Sequence, residues 1–142
     1  MVAGGSETGH LAIWNFSTGE VRALHPRAHV GKVDALRFAS FFGRKVLVSG
    51  GIDGMLRFWT LDLTELLRLD FGEGVNAIAP LGDDRFAVGG FGGLVVFRFP
   101  KKRPTLGPAG LPFQLELEDT KYAESNIGQR FRTPCNARPT VP

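Results

Sequence analysis

The apolar positions of residues 1–99 fall into short runs that glycine-rich turns separate. Three of these stretches are alike: "VAGGSETGHLAIW" (residues 2–14), "VSGGIDGMLRFW" (residues 48–59) and "AVGGFGGLVVF" (residues 87–97). Glycine and Asp-Gly tolerate the positive φ of a tight reversal, so each copy predicts two antiparallel strands joined by a hairpin turn. The second strand of each hairpin is apolar at successive positions, which is typical of a sheet covered on both faces.

The segments around the hairpins predict the remaining strands. Outer strands are predicted at "EVRAL" (20–24) and "LLRLDF" (66–71), inner strands at "KVDALRF" (32–38) and "GVNAIAP" (74–80), and leading hairpin strands at "KVLVSGG" (45–51) and "RFAVGG" (85–90). "DLTELLRL" (62–69) has some helical character, but residues 1–99 show no pattern of a long amphipathic helix. The predicted fold class is therefore all-β.

The three stretches recur at the length of a known structural unit. When their aromatic ends are aligned, 45 residues separate Trp14 from Trp59 and 38 separate Trp59 from Phe97. One four-stranded blade of a β-propeller takes roughly 40 to 45 residues. A β-sandwich also has short strands with frequent turns, but a repeat of blade length favours a propeller in which these three aromatics anchor the blades.

The middle copy resembles the WD-repeat β-propeller family. "AHVGKVDALRF" (28–38) is similar to the Gly-His dipeptide and inner strand of that family, with Ala28 in place of glycine. "VSGGIDGMLRFW" is similar to its Ser-Gly, Asp-Gly and Trp segment, and the closing Trp-Asp is replaced by Trp59-Thr60. The resemblance covers about residues 2–99 and implies antiparallel four-stranded blades that bind other proteins through their faces and edges.

The resemblance also implies a buried hydrogen-bonded network in the middle blade. In this chain its members would be His29, Ser49, Asp53 and Trp59. Imidazole, hydroxyl, carboxylate and indole groups can satisfy one another where water is excluded.

The other two copies depart from this pattern. Aligned by their glycines, the first copy has Ala3 where the middle copy has serine. The third copy has Val88 at the serine position, Phe97 at the tryptophan position and Gly74 near the histidine position. These blades are expected to rely on packing.

The number of repeats predicts an incomplete ring. A closed propeller needs roughly four to eight blades, whereas residues 1–99 encode about two and a half and begin within the second strand of a blade. Repeat units need neighbours to cover their faces. We expect the C-terminal blades of a larger propeller, or a piece that self-association completes.

Composition predicts a boundary near residue 100. Residues 1–99 carry ten Lys/Arg and ten Asp/Glu, so residues 100–142 supply the net charge of +3. "PKKRPTLGPAGLP" (100–112) predicts an extended linker, and "FQLELEDTKY" (113–122) predicts one strand in an otherwise irregular, Pro-rich and basic tail. The tail lacks an aromatic stacking motif, so a solvated linker is favoured over nucleic-acid binding.

A second resemblance supplies an alternative function. "LPFQLELEDTKY" (111–122) is similar to the connector that follows the propeller in some bacterial signalling proteins, where it leads to a small GTPase-like domain. The alternative is therefore a regulatory segment of a nucleotide-hydrolysing signalling protein whose enzymatic domain lies outside this chain.

Searches for catalytic and ligand-binding motifs predict a non-enzyme. "PRAHVGKV" (26–33) lacks the first glycine and the Ser/Thr of a phosphate loop, and "GGFGGL" (89–94) precedes a strand instead of a helix. His10, His25, His29 and Cys135 lack metal-ligand spacing. We predict no catalytic, cofactor or metal site.

The leading hypothesis is a non-catalytic protein–protein interaction or scaffold module. The single cysteine fits a reducing compartment, and the sequence shows neither a signal peptide nor a membrane-spanning run. A cytoplasmic location is expected.

Overall fold

The computed structural model describes residues 1–99 together with the backbone of residues 116–117, and it is all-β across this part of the chain. The strands are β1 (Val2–Gly5), β2 (Leu11–Trp14), β3 (Val21–His25), β4 (Val33–Phe41), β5 (Arg44–Gly51), β6 (Met55–Trp59), β7 (Glu65–Asp70), β8 (Val75–Pro80), β9 (Arg85–Gly90), β10 (Gly93–Arg98) and β11 (Glu116–Leu117).

The strands form three antiparallel sheets, as expected for part of a β-propeller. Sheet 1 has the order β1-β2-β3, sheet 2 has β4-β5-β6-β7 and sheet 3 has β8-β9-β10-β11. Each sheet is an up-and-down meander, so strands that follow one another along the chain are also paired. The all-β prediction is confirmed. The repeat count predicted about two and a half blades. Among the described residues there are three sheets, of which sheet 1 has three strands and the other two have four.

The segment with helical character is a strand. In β7, Leu67 and Leu69 are buried while Arg68 is half-buried and Asp70 is exposed, which is the two-residue period of a strand. Of the predicted strand at residues 113–122, the structure describes only β11, which pairs with β10.

The core consists of two layers between the three sheets. Between sheets 1 and 2 lie Leu11, Ile13, Ala28, Leu47, Trp59 and Leu63. The larger layer between sheets 2 and 3 contains Phe41, Phe58, Phe86 and Phe99, whose ring centroids lie 4.9 to 6.2 Å apart. β5 is covered on both faces, so residues 46–51 are all buried.

The meanders place the loops on two rims. The upper rim consists of the connections that follow odd-numbered strands (residues 6–10, 26–32, 52–54, 71–74 and 91–92), and the lower rim of those that follow even-numbered strands (residues 15–20, 42–43, 60–64 and 81–84). At the upper rim, backbone hydrogen bonds join each loop between two sheets to the hairpin turn of the preceding sheet. Gly9 O accepts from His29 N at 3.1 Å, and Gly54 O accepts from Phe71 N at 2.8 Å.

Strand register places the three repeat aromatics at equivalent positions. Trp14 pairs with Val2, Trp59 with Leu47 and Phe97 with Phe86. In each hairpin the partner lies three residues before a glycine that pairs with a leucine: Gly5 with Leu11, Gly50 with Leu56 and Gly89 with Leu94.

Gly9 is predicted to be indispensable for the upper rim. Its φ is +86°, and a Cβ at this position would overlap the carbonyl oxygen of His29. Because that oxygen belongs to the backbone, no side-chain rotation relieves the overlap. Gly9→Ala should lower the free energy of unfolding, measured by urea titration, by on the order of 3 kcal/mol.

Gly19→Ala is the matched control. Gly19 has a φ of +71° but no atom within 4 Å of a Cβ, so only backbone strain of about 1 kcal/mol is expected. Equal losses in the two variants would contradict a steric role for Gly9.

Candidate functional site

The structure brings together the four side chains of the predicted network. His29 lies on the loop before β4, Ser49 on β5, Asp53 in the β5–β6 turn and Trp59 at the end of β6. His29 Nδ1 lies 2.9 Å from Asp53 Oδ1, and His29 Nε2 lies 2.7 Å from Ser49 Oγ. Trp59 Nε1 donates to the same Ser49 Oγ at 2.8 Å. The chain of hydrogen bonds therefore joins the upper-rim loop to β5 and β6.

One arrangement of protons satisfies every member of this network. The indole N–H can only donate, so Ser49 Oγ accepts from Trp59 and its hydroxyl donates to His29 Nε2. A neutral His29 with its proton on Nδ1 then donates to the Asp53 carboxylate. Asp53 also accepts from the backbone N–H groups of Val30 at 3.0 Å and Met55 at 3.2 Å.

Burial sets the protonation of the network. Desolvation lowers the pKa of His29 and outweighs the hydrogen bond and charge of Asp53, which raise it. Desolvation by itself would raise the pKa of Asp53, but hydrogen bonds from His29, Val30 and Met55 lower it below its ordinary value. The network therefore holds a neutral imidazole against an ionised carboxylate at neutral pH.

Two charged residues extend the network beyond what the sequence predicted. Arg57 Nη2 lies 3.7 Å from Asp53 Oδ2, and Arg57 Nη1 donates to Glu65 Oε2 at 2.9 Å. The available signal was Arg57 itself, a charge inside the otherwise apolar run "MLRFW". Its partner on β7 follows from strand pairing, which the sequence pattern did not specify.

Sheet 1 has no counterpart of the serine. The sequence alignment placed Ala3 at the position of Ser49, but the strand register places Gly4 there, because Gly4 pairs with Ala12 as Ser49 pairs with Arg57. A Cβ at Gly4 would lie 2.9 Å from Trp14 Cζ3. The half-buried Trp14 ring therefore covers the space that a side chain would need.

Sheet 3 replaces the histidine with an aromatic contact. The sequence alignment placed Gly74 near the histidine position, but the upper-rim hydrogen bonds place Phe71 there, since its N–H binds Gly54 O as that of His29 binds Gly9 O. The Phe71 and Phe97 rings lie 5.8 Å apart in an edge-to-face arrangement. Val88 takes the position of the serine.

In sheet 3 the loop supplies the carboxylate, whereas in sheet 2 the hairpin turn supplies it. In sheet 2, Asp53 of the hairpin accepts from Val30 N of the loop. In sheet 3, Glu73 of the loop accepts from Gly92 N of the hairpin, with both carboxylate oxygens 2.8 Å away. Each arrangement joins loop to hairpin through one carboxylate.

An apolar row lies on the upper rim above this network. Its members are Val30, Ile52 and Phe91, and all three side chains are exposed. A Cβ at Gly31 would lie 3.0 Å from Ile52 Cγ2, and one at Gly74 would lie 3.1 Å from Phe91 Cε2 and 3.7 Å from Ile52 Cα. The three residues therefore follow one another along the rim of sheets 2 and 3, which we call the upper-rim row.

The described residues show no metal centre. Across residues 1–99, no three His, Cys, Asp or Glu side chains lie close enough to hold a metal ion together. In the same part of the chain, no helix has the length and apolar character needed to cross a membrane.

Ser49→Ala is predicted to destabilise the protein because it leaves two buried groups without a hydrogen-bond partner. The substitution leaves the buried Trp59 N–H and His29 Nε2 without their shared oxygen. The expected loss in unfolding free energy is about 2 to 3 kcal/mol by chemical denaturation. Ser17→Ala, in the exposed β2–β3 turn, should change it by less than about 0.5 kcal/mol. An equally small loss at Ser49 would contradict the network.

Stability is predicted to fall on mild acidification because of His29. Its folded-state pKa lies below the ordinary value of about 6.5, so the unfolded chain binds the proton first. The contribution is complete above pH 6.5 and is lost as the pH falls below it, by at most about 1.4 kcal/mol per pH unit. The Asp53 contribution is lost only at more acidic pH, as the pH falls through its lowered pKa.

Unfolding free energies measured between pH 7.5 and 5.5 test this assignment. His29→Gln should flatten the profile, whereas His10→Gln and His25→Gln should retain its slope. A slope that survives in His29→Gln would assign the pH dependence to other groups.

Comparison with known proteins supports the fold. No protein-family model and no curated protein sequence matches the chain. Among solved structures, the β-propeller domain of Cps50 (Swd1) from Myceliophteria thermophila is similar, with a TM-score of 0.61 and 21% sequence identity. The match covers 81% of this chain but 33% of that chain, so this chain spans about a third of its structural neighbour. The likeness shows a propeller-like fold.

Proposed function

We propose that residues 1–99 are a non-catalytic section of a WD-repeat propeller and that they bind other proteins as an interaction or scaffold module. The observation that carries this proposal is the upper-rim row. Scattered exposed apolar residues are ordinary on protein surfaces, but three that follow one another along a rim favour a binding site.

The packing around the row favours a preformed binding surface. Gly31 and Gly74 lie so close to Ile52 and Phe91 that their missing side chains make room for the neighbours. Hydrogen bonds of Ile52 N to Lys32 O and of Gly92 N to Glu73 hold the backbone on either side. A surface that is ordered before binding loses less conformational entropy when a partner docks.

The assignment to the WD-repeat family rests on the middle blade. The family resemblance implied a hydrogen-bonded set of His29, Ser49, Asp53 and Trp59, and these side chains lie within hydrogen-bonding distance of one another. The propeller-like fold of the structural neighbour is compatible with this assignment. The same proposal includes three further expectations. The protein is not an enzyme and binds no cofactor, it is cytoplasmic, and a domain boundary lies at residue 100.

The two end faces of the stack favour completion by further blades. Leu94, on the outer face of sheet 3, is 57% exposed, whereas its register equivalents Leu11 and Leu56 are fully buried. On the opposite end Val2 is exposed, whereas its equivalents Leu47 and Phe86 are fully buried. These faces carry the residue types of the interior layers. They would fit the C-terminal blades of a larger propeller or self-association of several copies.

The alternative of a GTPase-linked regulatory segment rests on residues 111–122. These lie outside the described residues, apart from the backbone of β11. No observation on residues 1–99 favours this alternative over the interaction module.

A matched pair of phenylalanines tests the proposed binding surface. Phe91 on the upper rim is 80% exposed, and Phe16 on the lower rim is 79% exposed. Proteins captured by the immobilised 142-residue chain should be lost on Phe91→Asp and retained on Phe16→Asp, because only the first breaks the row. The measurement is quantitative mass spectrometry of both variants beside the unsubstituted chain. Identical protein profiles for all three, or no enrichment at all, would overturn the proposal.

A further inference from the structure

The loop between sheets 1 and 2 positions two members of the upper-rim row. Val30 directly follows His29 in this loop, and its N–H donates to Asp53 Oδ2 at 3.0 Å. At the far end of the loop, Lys32 O accepts from Ile52 N at 3.0 Å. The positions of Val30 and Ile52 therefore depend on hydrogen bonds that this loop makes to the β5–β6 turn.

One carboxylate connects the loop to the buried network. Asp53 binds His29 Nδ1 through one oxygen and Val30 N through the other. On the other side of the loop, Gly9 O accepts from His29 N. A displacement of the His29 ring from the network therefore also displaces Val30.

The His29 side chain is fully enclosed, with an exposed fraction of 0%. A Cβ at Gly51 would lie 2.7 Å from His29 Nδ1 and 3.0 Å from Asp53 Oδ1, so the backbone of β5 packs directly on this pair. A charge on the ring is consequently separated from water, and this burial lowers the pKa of His29.

A second proton on His29 disrupts the hydrogen bonds on its Nε2 side. In the neutral ring Nε2 accepts from Ser49 Oγ, but in the imidazolium it can only donate. Ser49 Oγ then faces two N–H donors, from His29 and Trp59, and its own proton loses its acceptor. A buried donor without an acceptor is unfavourable, so protonation favours a displaced ring.

Charged groups on the surrounding elements do not reverse this preference. Burial has the largest effect on the pKa of His29 and lowers it, as Arg57 does, although Asp53 and Glu65 raise it. The titratable and charged side chains on the elements around His29 are those of Asp53, Arg57, Glu65 and Arg68 in sheet 2, of Glu7, His10 and His25 in sheet 1, of Arg27 in the loop, and of Lys32 and Asp34, which pair with each other at 2.9 Å.

We propose that protonation of His29 opens the loop at residues 28–32 within the folded chain and thereby weakens binding at the upper-rim row. The row is then a pH-sensitive binding surface. This inference rests on the proposed role of the row in binding, and it concerns a local opening, whereas the acid dependence of stability concerns unfolding of the whole chain.

Movement of the loop is the direct route of the charged ring to water. Ser49 and Trp59 are fixed in strands β5 and β6, whereas His29 lies in a loop. Outward movement of this loop breaks the hydrogen bond from Val30 N to Asp53. It also separates the loop from Ile52 N, so the row loses the arrangement of two of its three members.

The equivalent loop of sheet 3 provides an internal reference. Phe71 takes the position of His29, has no ionisable group, and donates its N–H to Gly54 O at 2.8 Å. Opening of this second loop should therefore not depend on the protonation of a histidine.

Amide hydrogen exchange of the 142-residue chain, measured by NMR at pH 7.5 and 5.5, tests the opening. After correction for intrinsic exchange rates, the protection of the Val30 and Ile52 amides should fall by about fivefold or more at the lower pH. The reason is that a histidine with the ordinary pKa of about 6.5 becomes mostly charged over this range. The Phe71 amide should keep its protection. Val30 should also remain less protected than the amides of β5, because a local opening requires less free energy than unfolding.

His29→Gln is the matched variant for this measurement. A glutamine amide can accept from Ser49 and donate to Asp53, but it does not titrate. The variant should therefore remove the pH dependence of protection at Val30, whereas His10→Gln should retain it.

A second variant copies the residues of sheet 3 into sheet 2 and keeps the test available if His29→Gln does not fold. It combines His29→Phe, Ser49→Val and Trp59→Phe, which reproduce the set of Phe71, Val88 and Phe97. The pH dependence of protection at Val30 should be absent from this variant as well.

Quantitative mass spectrometry of proteins captured by the immobilised chain tests the effect on binding. The relevant proteins are those that the Phe91→Asp variant loses at pH 7.5. The unsubstituted chain should capture about threefold less of them at pH 5.5, because the apparent affinity falls with the fraction of chains in the closed form. His29→Gln should bring the ratio of the two captured amounts close to one.

Each part of the proposal has its own contradicting result. Unchanged protection of Val30 and Ile52, a fall of equal size at Phe71, or a pH dependence that persists in His29→Gln would overturn the opening of the loop. Equal capture at the two pH values would overturn its effect on binding and leave the Phe91 result intact. Absence of any capture that depends on Phe91 would overturn the proposed binding surface and its pH dependence together.

Discussion

The structure depends on covering both faces of the middle sheet, sheet 2. Phe58 and Trp59 are neighbours on β6, and both are fully buried, one against sheet 3 and the other against sheet 1. Such a strand has no face to offer to water, so sheet 2 is stable only between two others. Two glycines near the upper-rim ends of β1 and β5, Gly5 and Gly50, set how closely neighbouring sheets approach each other. A Cβ at Gly5 would lie 2.6 Å from Val33 Cβ, and one at Gly50 would lie 2.7 Å from Val75 Cβ.

At the upper rim, the loop between two sheets is attached to the neighbouring hairpin in two chemically different ways, one polar and one largely aromatic. Sheet 2 uses the polar solution, in which His29 and Asp53 connect the loop to Ser49 and Trp59. Sheet 3 uses an edge-to-face aromatic pair inside and the carboxylate of Glu73 outside. The polar network specifies geometry more strictly, because every buried donor must meet its acceptor. The contact between the Phe71 and Phe97 rings tolerates small shifts, because it has no donor that must meet an acceptor.

The strand positions within residues 1–99 could be predicted because they follow from local chemistry. Glycine-rich reversals mark the turns and β-rich runs mark the strands, so β9 was predicted without error and β7 was shifted by one residue. Equivalence between repeats was harder, and Ala3 and Gly74 were assigned wrongly. The first hairpin has one more residue between its glycine pair and its tryptophan than the second, and only strand register reveals on which side the extra residue lies. The hydrogen bond from Gly92 N to Glu73 was also missed, since this carboxylate comes from the loop whereas that of Asp53 comes from the hairpin turn.

The constraint that builds the core also separates the proposed binding surface on the upper rim from the exposed end faces. The end faces have the chemistry of the interior, because Leu94 and Val2 are exposed there while their register equivalents on the other sheets are buried. The upper-rim row belongs to no layer, because Ile52 and Phe91 project from turns whose backbones are already hydrogen-bonded. Adding blades would bury the end faces and leave this row exposed. The proposed docking of a partner on the rim is therefore compatible with a complete or an incomplete ring.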